Sequence, residues 1–393
     1  MKKEVSFLIG LKNNLKYTIF FYENVRKIYP NVEIVFVSFG STDGTHEWLD
    51  QLQDQNLKYF YSDESKTLSD TYNKATKLST GEYVCFLHND MVLGKYFLNN
   101  LEKGLLENEI NFYKVIEPPI FTGDFRDWKL NQDFGEAIET FDAQKFFDFE
   151  ESYLTASNNL TTPTNHISFF LCAKRSTLLE IGGLDNLFNP MFCEDDDLII
   201  RLKLLGLRTV QLHNALVYHF VSKTSRFSEE YKSKTEAIEQ RSKRNFIRKW
   251  GSKSSSEIST KYDIGIILKK GNFAQLYELE PYANTIYVDF SYDEYIEKEQ
   301  NLTKFDLKER VKPHTKIQHH DVMIFVDGQS FNGKTLNTIL DLSSIIKENK
   351  KNYLNPSIFI KSFLKIIKPY RPLIFFNKPQ GIEKSMIFKN LEI

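Results

Sequence analysis

The sequence predicts an α/β protein: a mostly parallel sheet flanked by helices, followed by a smaller C-terminal α/β domain. In the first part, short apolar runs alternate with segments whose apolar residues recur at helical spacing. After a serine-rich stretch the alternation restarts with DIGIIL, TIYVDF and DVMIFVD. A chain of 393 residues is long enough for two hydrophobic cores, and 41% hydrophobic with 26% charged residues is typical of soluble proteins.

The predicted strands of the first part are VSFLIG, VEIVFVS, LKYFY and EYVCFL. Helices are predicted between them over Leu15–Ile28, around Trp48–Leu52 and over Ser69–Leu78. Ligands of such sheets bind at the carboxyl ends of the strands. Gly10, Ser38 and the segment His88–Asp90 are predicted at that edge.

Residues 111–164 are less regular and rich in aromatic side chains, which indicates either an aromatic-lined acceptor region or irregular structure with its own small core. A helix in EDDDLIIRLKLLG, a strand in TVQLHNALVYHF and a charged helix over Glu229–Trp250 follow. Composition then indicates a linker. We therefore predict a domain over 1–251, a linker over 252–260 and an accessory α/β domain over 261–393.

Composition excludes several classes of protein. The net charge of −1 gives no basic field, so a nucleic-acid partner is not expected. Three well-separated cysteines, Cys85, Cys172 and Cys193, form neither a disulfide framework nor a zinc pattern. No run approaches the roughly 18 apolar residues of a membrane-spanning helix. The sequence predicts a cytoplasmic protein.

The segment FLHND, Phe86–Asp90, carries the first candidate chemistry. His88 and Asp90 are two residues apart at a strand end, so both side chains are expected on one face. Asp90 can hold Mn²⁺ or Mg²⁺ against phosphate oxygens. His88 is either a second ligand, which favours Mn²⁺, or a ribose contact. A structural turn or cap is the alternative for Asp90.

The run CEDDDLIIRL supplies a second candidate site. Four acids open a helix, where the helix dipole stabilises them, yet crowded carboxylates also raise one another's pKa and can make a general base. His219 ends a later strand; it is either structural or completes the metal site.

The ordered set GSTDGT, GEYVCFLHND, GGLDNLF, EDDDLIIRL and RNFIRKWG resembles the GT-A glycosyltransferases of family 2 over residues 1–251. The EDDD run also resembles the acceptor and base motif of β-1,4-galactosyltransferases. The resemblance implies a nucleotide-sugar donor, a divalent metal on its diphosphate and inversion at the anomeric carbon.

Residue by residue, the resemblance implies that Asp195 is the catalytic base and that Glu194 and Asp196 bind the acceptor. Asp90 matches the metal-binding aspartate, and His219 matches a histidine that completes the metal shell. Gly10, Ser38, Lys66, His88 and Asn89 are the expected donor-binding residues, of which Lys66 could instead be a solvated loop lysine.

Two positions depart from the family pattern. Where the family has acidic residues before GST, this chain has Ser38 and Phe39, and His88 replaces the first carboxylate of the metal motif. Asp43 is expected to cap the following helix.

GQSFNGKT, residues 328–335, fits the phosphate-loop pattern after a predicted strand. However, no later strand in the sequence ends in an acidic residue that could hold Mg²⁺, so a tight βα turn is the preferred interpretation.

The sequence thus predicts an inverting metal-dependent glycosyltransferase that moves a sugar, with a UDP-sugar as the expected donor, to a glycan or other hydroxyl acceptor. A retaining transferase, a donor hydrolase and a non-catalytic glycan-binding module are the alternatives.

Overall fold

The computed structural model describes residues 4–120, 128–156, 161–221, 231, 233–254, 258–348, 373–376 and 380–388. The chain forms two compact units: the first comprises Met1–Ile238 together with Phe388–Ile393, and the second covers Glu239–Ile387. No helix within these described ranges is long and apolar enough to cross a membrane.

The first unit is built on a sheet of ten strands in the order β3-β2-β1-β4-β9-β6-β10-β5, with β7 beside β6 and β8 beside β10. Strands β3, β2, β1 and β4 are parallel, whereas β9 runs antiparallel to both β4 and β6. The strands are β1 Val5–Leu11, β2 Glu33–Phe39, β3 Leu57–Ser62, β4 Tyr83–Leu87, β5 Met91–Leu93, β6 Glu109–Glu117, β7 Lys129–Asn131, β8 Thr161–Pro163, β9 Leu171–Lys174 and β10 Arg208–His219.

Seven α-helices of the described chain belong to this unit: α1 Leu15–Ile28, α2 Thr45–Gln51, α3 Leu68–Leu78, α4 Phe97–Gly104, α5 Ala143–Ala156, α6 Arg175–Glu180 and α7 Glu194–Leu204. Their apolar faces cover the sheet; Phe21 of α1 packs in one core with Phe7 and Phe36 of the strands. The predicted mostly parallel sheet flanked by helices is confirmed.

The aromatic residues of the irregular region form a second core of the first unit. Phe134 and Phe146 are buried against Tyr218, while Phe141 is partly buried against the same cluster. This favours the interpretation as irregular structure with its own core; Phe121 and Phe125 lie outside the described residues.

The second unit is a five-stranded sheet in the order β13-β12-β11-β14-β15, parallel except for β15. Its strands are β11 Ile264–Lys269, β12 Thr285–Val288, β13 Val311–Pro313, β14 Val322–Asp327 and β15 Leu373–Phe376. The remaining helices of the described chain are α8 Thr235–Trp250, α9 Phe273–Leu279, α10 Asp293–Glu299, α11 Leu307–Arg310, α12 Gly333–Leu340 and α13 Leu342–Glu348. Its core consists mainly of aliphatic residues from both the strands and the helices.

Helix α8 explains why the units divide before residue 251. Arg248 Nε lies 2.9 Å from the buried Glu280 carboxylate, and its Nη2 lies 3.1 Å from Glu299. Arg310 Nε donates to the same Glu280 carboxylate, at 2.5 Å. A buried carboxylate needs such partners, so these bonds hold α8 within the second unit from Glu239 onward.

The phosphate-loop pattern forms a capped helix start. The Asn332 side chain accepts hydrogen bonds from Lys334 N (2.9 Å) and Thr335 N (3.3 Å), the backbone groups that would otherwise face a phosphate. A Cβ on Gly328 would lie 2.5 Å from Gly271 Cα, so glycine is needed for close backbone packing. This geometry is that of a tight βα turn.

Candidate functional site

A pocket opens at the carboxyl edge of the first sheet. Strands β2, β1 and β4 are parallel neighbours, so their carboxyl ends meet there. Four of the five predicted donor-binding residues line the pocket: Gly10, Lys66, His88 and Asn89. The other lining residues are Leu11, Lys12, Phe39, Thr67, Leu68, Thr71, Tyr72, Pro190, Met191 and Tyr231.

The fifth predicted donor residue, Ser38, is fully buried and is not among the lining residues. Its hydroxyl lies 2.8 Å from Ser41 Oγ and 3.0 Å from His46 Nε2. The structure therefore places Ser38 in a hydrogen-bonded layer that supports the turn after β2.

Asp43 contacts the starts of two helices at the same edge of the sheet. Its carboxylate accepts hydrogen bonds from Leu15 N (2.7 Å) and Thr45 N (3.3 Å), the first residues of α1 and α2. The N-cap position of α2 is Gly44, so Asp43 supports the start of both helices through these backbone groups without occupying the predicted cap position.

Three potential metal ligands, His88, Asp90 and His219, meet beside the pocket. His219 Nε2 lies 3.3 Å and His88 Nδ1 3.9 Å from Asp90 Oδ1. One candidate ligand atom from each residue lies within 4.8 Å of the other two. The antiparallel pairing of β5 with β10 sets Met91 opposite His219 and so brings the two strand ends together.

Asp90 shows that this cluster suits a cation. Its side chain is 1% exposed, and both carboxylate oxygens lack a hydrogen-bond partner. The nearby charge partner is the His219 imidazole, 3.3 Å from Oδ1, and a buried carboxylate without hydrogen bonds is costly unless a positive charge or a donor compensates it. The donor set of two imidazoles and one carboxylate therefore fits a divalent metal.

The three groups of the cluster shift one another's pKa values. Burial lowers the pKa of His88 to about 4, so its imidazole is neutral and able to ligate. Burial raises the pKa of Asp90, but His219 and His88 outweigh it and bring the pKa to about 2. Burial lowers the pKa of His219, yet Asp90 and Glu117 raise it to about 9, so at neutral pH this imidazole is protonated and pairs with Asp90; binding of a metal would release that proton.

Glu117 is a residue that the sequence analysis missed. Its Oε1 lies 2.9 Å from His219 Nδ1, which orients Nε2 toward Asp90, and Lys129 pairs with the same carboxylate. Carboxylates in this arrangement commonly fix the tautomer of a metal-binding histidine. Glu117 ends β6, which lies beside β10, and this pairing of distant segments cannot be read from the sequence.

Aromatic rings wall the cluster on one side. The Phe170 ring centroid lies 5.0 Å from that of His88 and 5.2 Å from that of His219, and Phe169 lies 5.4 Å from His88. Apolar walls limit water around the ligands and strengthen their interaction with a charge.

Two lysines give the pocket positive charge. Lys12 Nζ donates to Phe39 O and to Ser65 Oγ, each at 3.1 Å. Lys66 Nζ lies 3.1 Å from the Glu64 carboxylate and 5.2 Å from the Phe39 ring centroid. Each ammonium group has three N–H donors and can bind an anionic ligand in the pocket. Lys12 was not identified from the sequence.

The acidic run occupies the first turn of α7. Glu194 is buried, and Asp195 and Asp196 are half-buried. Asp197 differs: it is fully buried and pairs with Arg201 Nε at 2.8 Å. None of these four acids is among the pocket-lining residues of the described chain, although Pro190 and Met191, shortly before them, are.

Part of the chain also matches a known protein family. Residues 6–173 match the model of the family described as Glycosyl transferase family 2. This match covers less than half of the chain. The matched segment includes GSTDGT and FLHND; the acidic run and His219 follow it in the chain.

One curated relative is the Glycosyltransferase GlyG of Streptococcus pneumoniae serotype 4, which is 25% identical over 142 residues. That alignment covers 34% of this chain and 46% of GlyG, so the chain spans less than half of the relative's length.

Solved structures resemble part of the chain. The mannosyltransferase PcManGT from Pyrobaculum calidifontis, in complex with GDP-Man and Mn²⁺, is 17% identical, with a TM-score of 0.40 over 57% of this chain and 59% of that one. GalNAc-T7 with UDP, GalNAc and Mn²⁺ is 13% identical, with a TM-score of 0.43 over 63% and 48%. Likenesses this distant transfer no substrate to this chain.

Proposed function

We propose that the first unit is an inverting, metal-dependent glycosyltransferase that moves a sugar from a nucleotide-sugar donor to an acceptor hydroxyl. The observation that carries the proposal is Asp90, a buried carboxylate without a hydrogen bond, set between two imidazoles beside a lysine-bearing pocket. The family 2 match and the curated glycosyltransferase relative support the same reaction class.

His88, Asp90 and His219 would hold the metal, with Glu117 orienting His219. Imidazole ligands favour Mn²⁺ over Mg²⁺. When bound, such a cation neutralises charge on the diphosphate leaving group.

The pocket would hold the nucleoside diphosphate, with a UDP-sugar as the expected donor. Starting from the metal cluster at the end of β4, the pocket extends across the end of β1 to the end of β2. Lys12 and Lys66 would stabilise the phosphate charge that grows as the bond to the sugar breaks. Gly10 and Asn89 would line the path of the donor.

Asp195 would act as the base. It would take the proton from the acceptor hydroxyl while that oxygen attacks the anomeric carbon on the face opposite the leaving diphosphate. Glu194 and Asp196 would hold neighbouring hydroxyls of the acceptor. The second unit would position the acceptor or a partner.

The test is transfer by the full chain with UDP-, GDP-, dTDP- and CMP-sugars and a panel of saccharide acceptors, with Mn²⁺ and with EDTA. Asp195→Asn should lower transfer by about 10²–10⁴-fold, the range of general base catalysis, while donor binding persists. Glu180→Gln, an exposed acid on α6, is the matched control and should be as active as the wild type.

Product configuration, measured by NMR, completes the test. Inversion supports the mechanism, whereas retention would assign the retaining alternative. Equal activity of Asp195→Asn would remove Asp195 as the base. Sugar binding without turnover under any condition would favour a glycan-binding module.

A further inference from the structure

Helix α3 contacts both the donor pocket and the segment that leads to α7. Thr67, Leu68, Thr71 and Tyr72, at the start of the helix, line the pocket. Asp70 and Asn73, three residues apart, share a helix face and bond to residues 184–189.

Asn73 makes the tighter of these contacts. Its Oδ1 accepts from Leu184 N and its Nδ2 donates to Leu184 O, both at 2.8 Å. Gly183 has φ +69°, and a Cβ there would lie 2.1 Å from Asn73 Oδ1. Only glycine meets both requirements, so the turn is shaped to receive this amide.

Asp70 forms a second contact with the same segment. Its carboxylate accepts from Asn186 Nδ2 (2.9 Å) and Asn189 Nδ2 (3.4 Å), and also from Thr67 N (3.2 Å). Thr67 lines the pocket, and Asn189 directly precedes Pro190, which lines it too. One carboxylate thus joins two walls of the pocket.

Helix α7 holds the opposite side of this segment. Arg201 donates to Ile181 O (3.0 Å) and to Gly183 O (2.5 Å), and its Nε pairs with Asp197. Both members of the pair are fully buried, so neither can move without leaving a buried charge unpaired. Asp195 lies in the same helical turn as Asp197.

We propose that Asn73 and Arg201 are positioning residues that couple the donor pocket to α7, so that an occupied pocket sets the position of Asp195. This inference rests on the proposed function. The coupling runs from the pocket wall on α3, through the Leu184 backbone held by Asn73, to the Gly183 carbonyl held by Arg201. Because a misplacement of about 1 Å can cost about 10²-fold in rate, small shifts of α7 matter.

The experiment compares the full-length wild type with Asn73→Ala, Asn73→Asp and the matched control Lys77→Ala, an exposed lysine on the same helix. Nucleotide Kd is measured by calorimetry with UDP, GDP, dTDP and CDP in Mn²⁺. Transfer gives kcat, and amide hydrogen exchange follows residues 183–197 with and without nucleotide.

Asn73→Ala should lower kcat about 10–100-fold, leave the nucleotide Kd within about twofold, and abolish nucleotide-induced protection of residues 183–197. Asn73→Asp keeps the acceptor for Leu184 N but sets a carboxylate oxygen against Leu184 O, so its kcat should fall at least as far as that of Asn73→Ala. Lys77→Ala should match the wild type.

The inference would be overturned by an unchanged kcat in Asn73→Ala, by parallel loss of nucleotide binding and kcat in both Asn73 variants, or by protection of residues 183–197 that survives the substitution. If the wild type transfers no sugar yet nucleotide still protects residues 183–197 only when Asn73 is present, the proposed function fails and the coupling stands.

Discussion

The carboxyl ends of the parallel strands differ between the two sheets of this protein. In the first unit the carboxyl ends of β1, β2 and β4 open into a pocket, and Asp90 is buried beside it without a hydrogen bond. In the second unit Asp289 accepts from Lys270 N (2.9 Å) and Asp327 from Gln329 N (3.1 Å).

At the strand ends of the second sheet, the backbone and side chains are also closely packed. Gln275 Nε2 donates to Gly328 O at 2.7 Å, and Gly328 leaves no room for a Cβ against Gly271. The carboxyl end of a parallel strand is therefore not sufficient by itself to indicate a ligand site. The difference teaches that a site is marked by buried polar groups left for a ligand, and that the same residue types become structural when the backbone uses them.

The largest expected effect tests the open edge. Asp90→Asn removes the one carboxylate of the cluster, so Mn²⁺ binding should fall below detection by calorimetry and transfer should drop on the order of 10³-fold. The melting temperature should also fall, because the buried pairing of Asp90 with His219 is lost. Asp63→Asn, whose side chain is exposed, is the control; undiminished Mn²⁺ binding in Asp90→Asn would contradict the assignment.

A smaller loss of Mn²⁺ affinity is expected from changing Glu117, which orients His219. Glu117→Gln keeps the size of the side chain but weakens the orientation of His219, so Mn²⁺ affinity should fall roughly 10–100-fold. Titration with Mn²⁺ gives the affinity directly. Glu109→Gln, on the same strand and paired with the exposed Arg208, should bind Mn²⁺ like the wild type. Equal affinities in all three proteins would show that Glu117 acts only in folding.

The second unit should respond to pH through a buried cation. Burial lowers the pKa of Lys261 to about 7, while its Nζ donates to Arg248 O and Lys249 O. Between about pH 7 and 10 the unfolded chain binds this proton and the folded chain does not, so the free energy of unfolding should rise with pH, by at most about 1.4 kcal/mol per pH unit.

Urea denaturation at pH 7.5 and 9 measures this slope. Lys261→Met should reduce it, whereas Lys253→Met, at an exposed position, should preserve it. Identical slopes in the three proteins would mean that Lys261 stays protonated in the fold.

The smallest expected effect tests the strand ends of the second sheet. Lys334→Ala should leave nucleotide binding by the full chain unchanged within error, because Asn332 already caps the helix start. Nucleotide binding that survived in Asp90→Asn and disappeared in Lys334→Ala would reverse the comparison between the two edges.

Much of the fold follows from local patterns. Helix α1 has the predicted limits, Leu15–Ile28, because its apolar spacing continues up to the turn before β2. Strand β6 was not recognised: all nine of its residues are buried, so no alternation marks it, and it begins in a stretch that also contains charged residues. Strand β9 has four residues and gains its place by antiparallel pairing with β4 and β6, which are distant in the sequence.

The candidate site follows from sequence only where its residues are neighbours in the chain. His88 and Asp90 belong to one strand end, and His219 was named with them through resemblance to a family. Glu117 and Lys12 could not be identified in the same way, because their roles depend on which strands lie side by side. Asp197 was grouped with Asp195 by adjacency, although burial and Arg201 give it a structural role.

Helix α8 has a practical consequence for dividing the protein. A shortened chain ending at residue 251 would carry Arg244 and Arg248 away from Glu280 and Glu299, exposing a face of the helix that combines unpaired guanidinium groups with apolar surface such as Ile247. Such a fragment is expected to aggregate. Cleavage after Ile238 separates the chain where the compact units divide, and is the better starting point for producing the pocket-bearing unit alone.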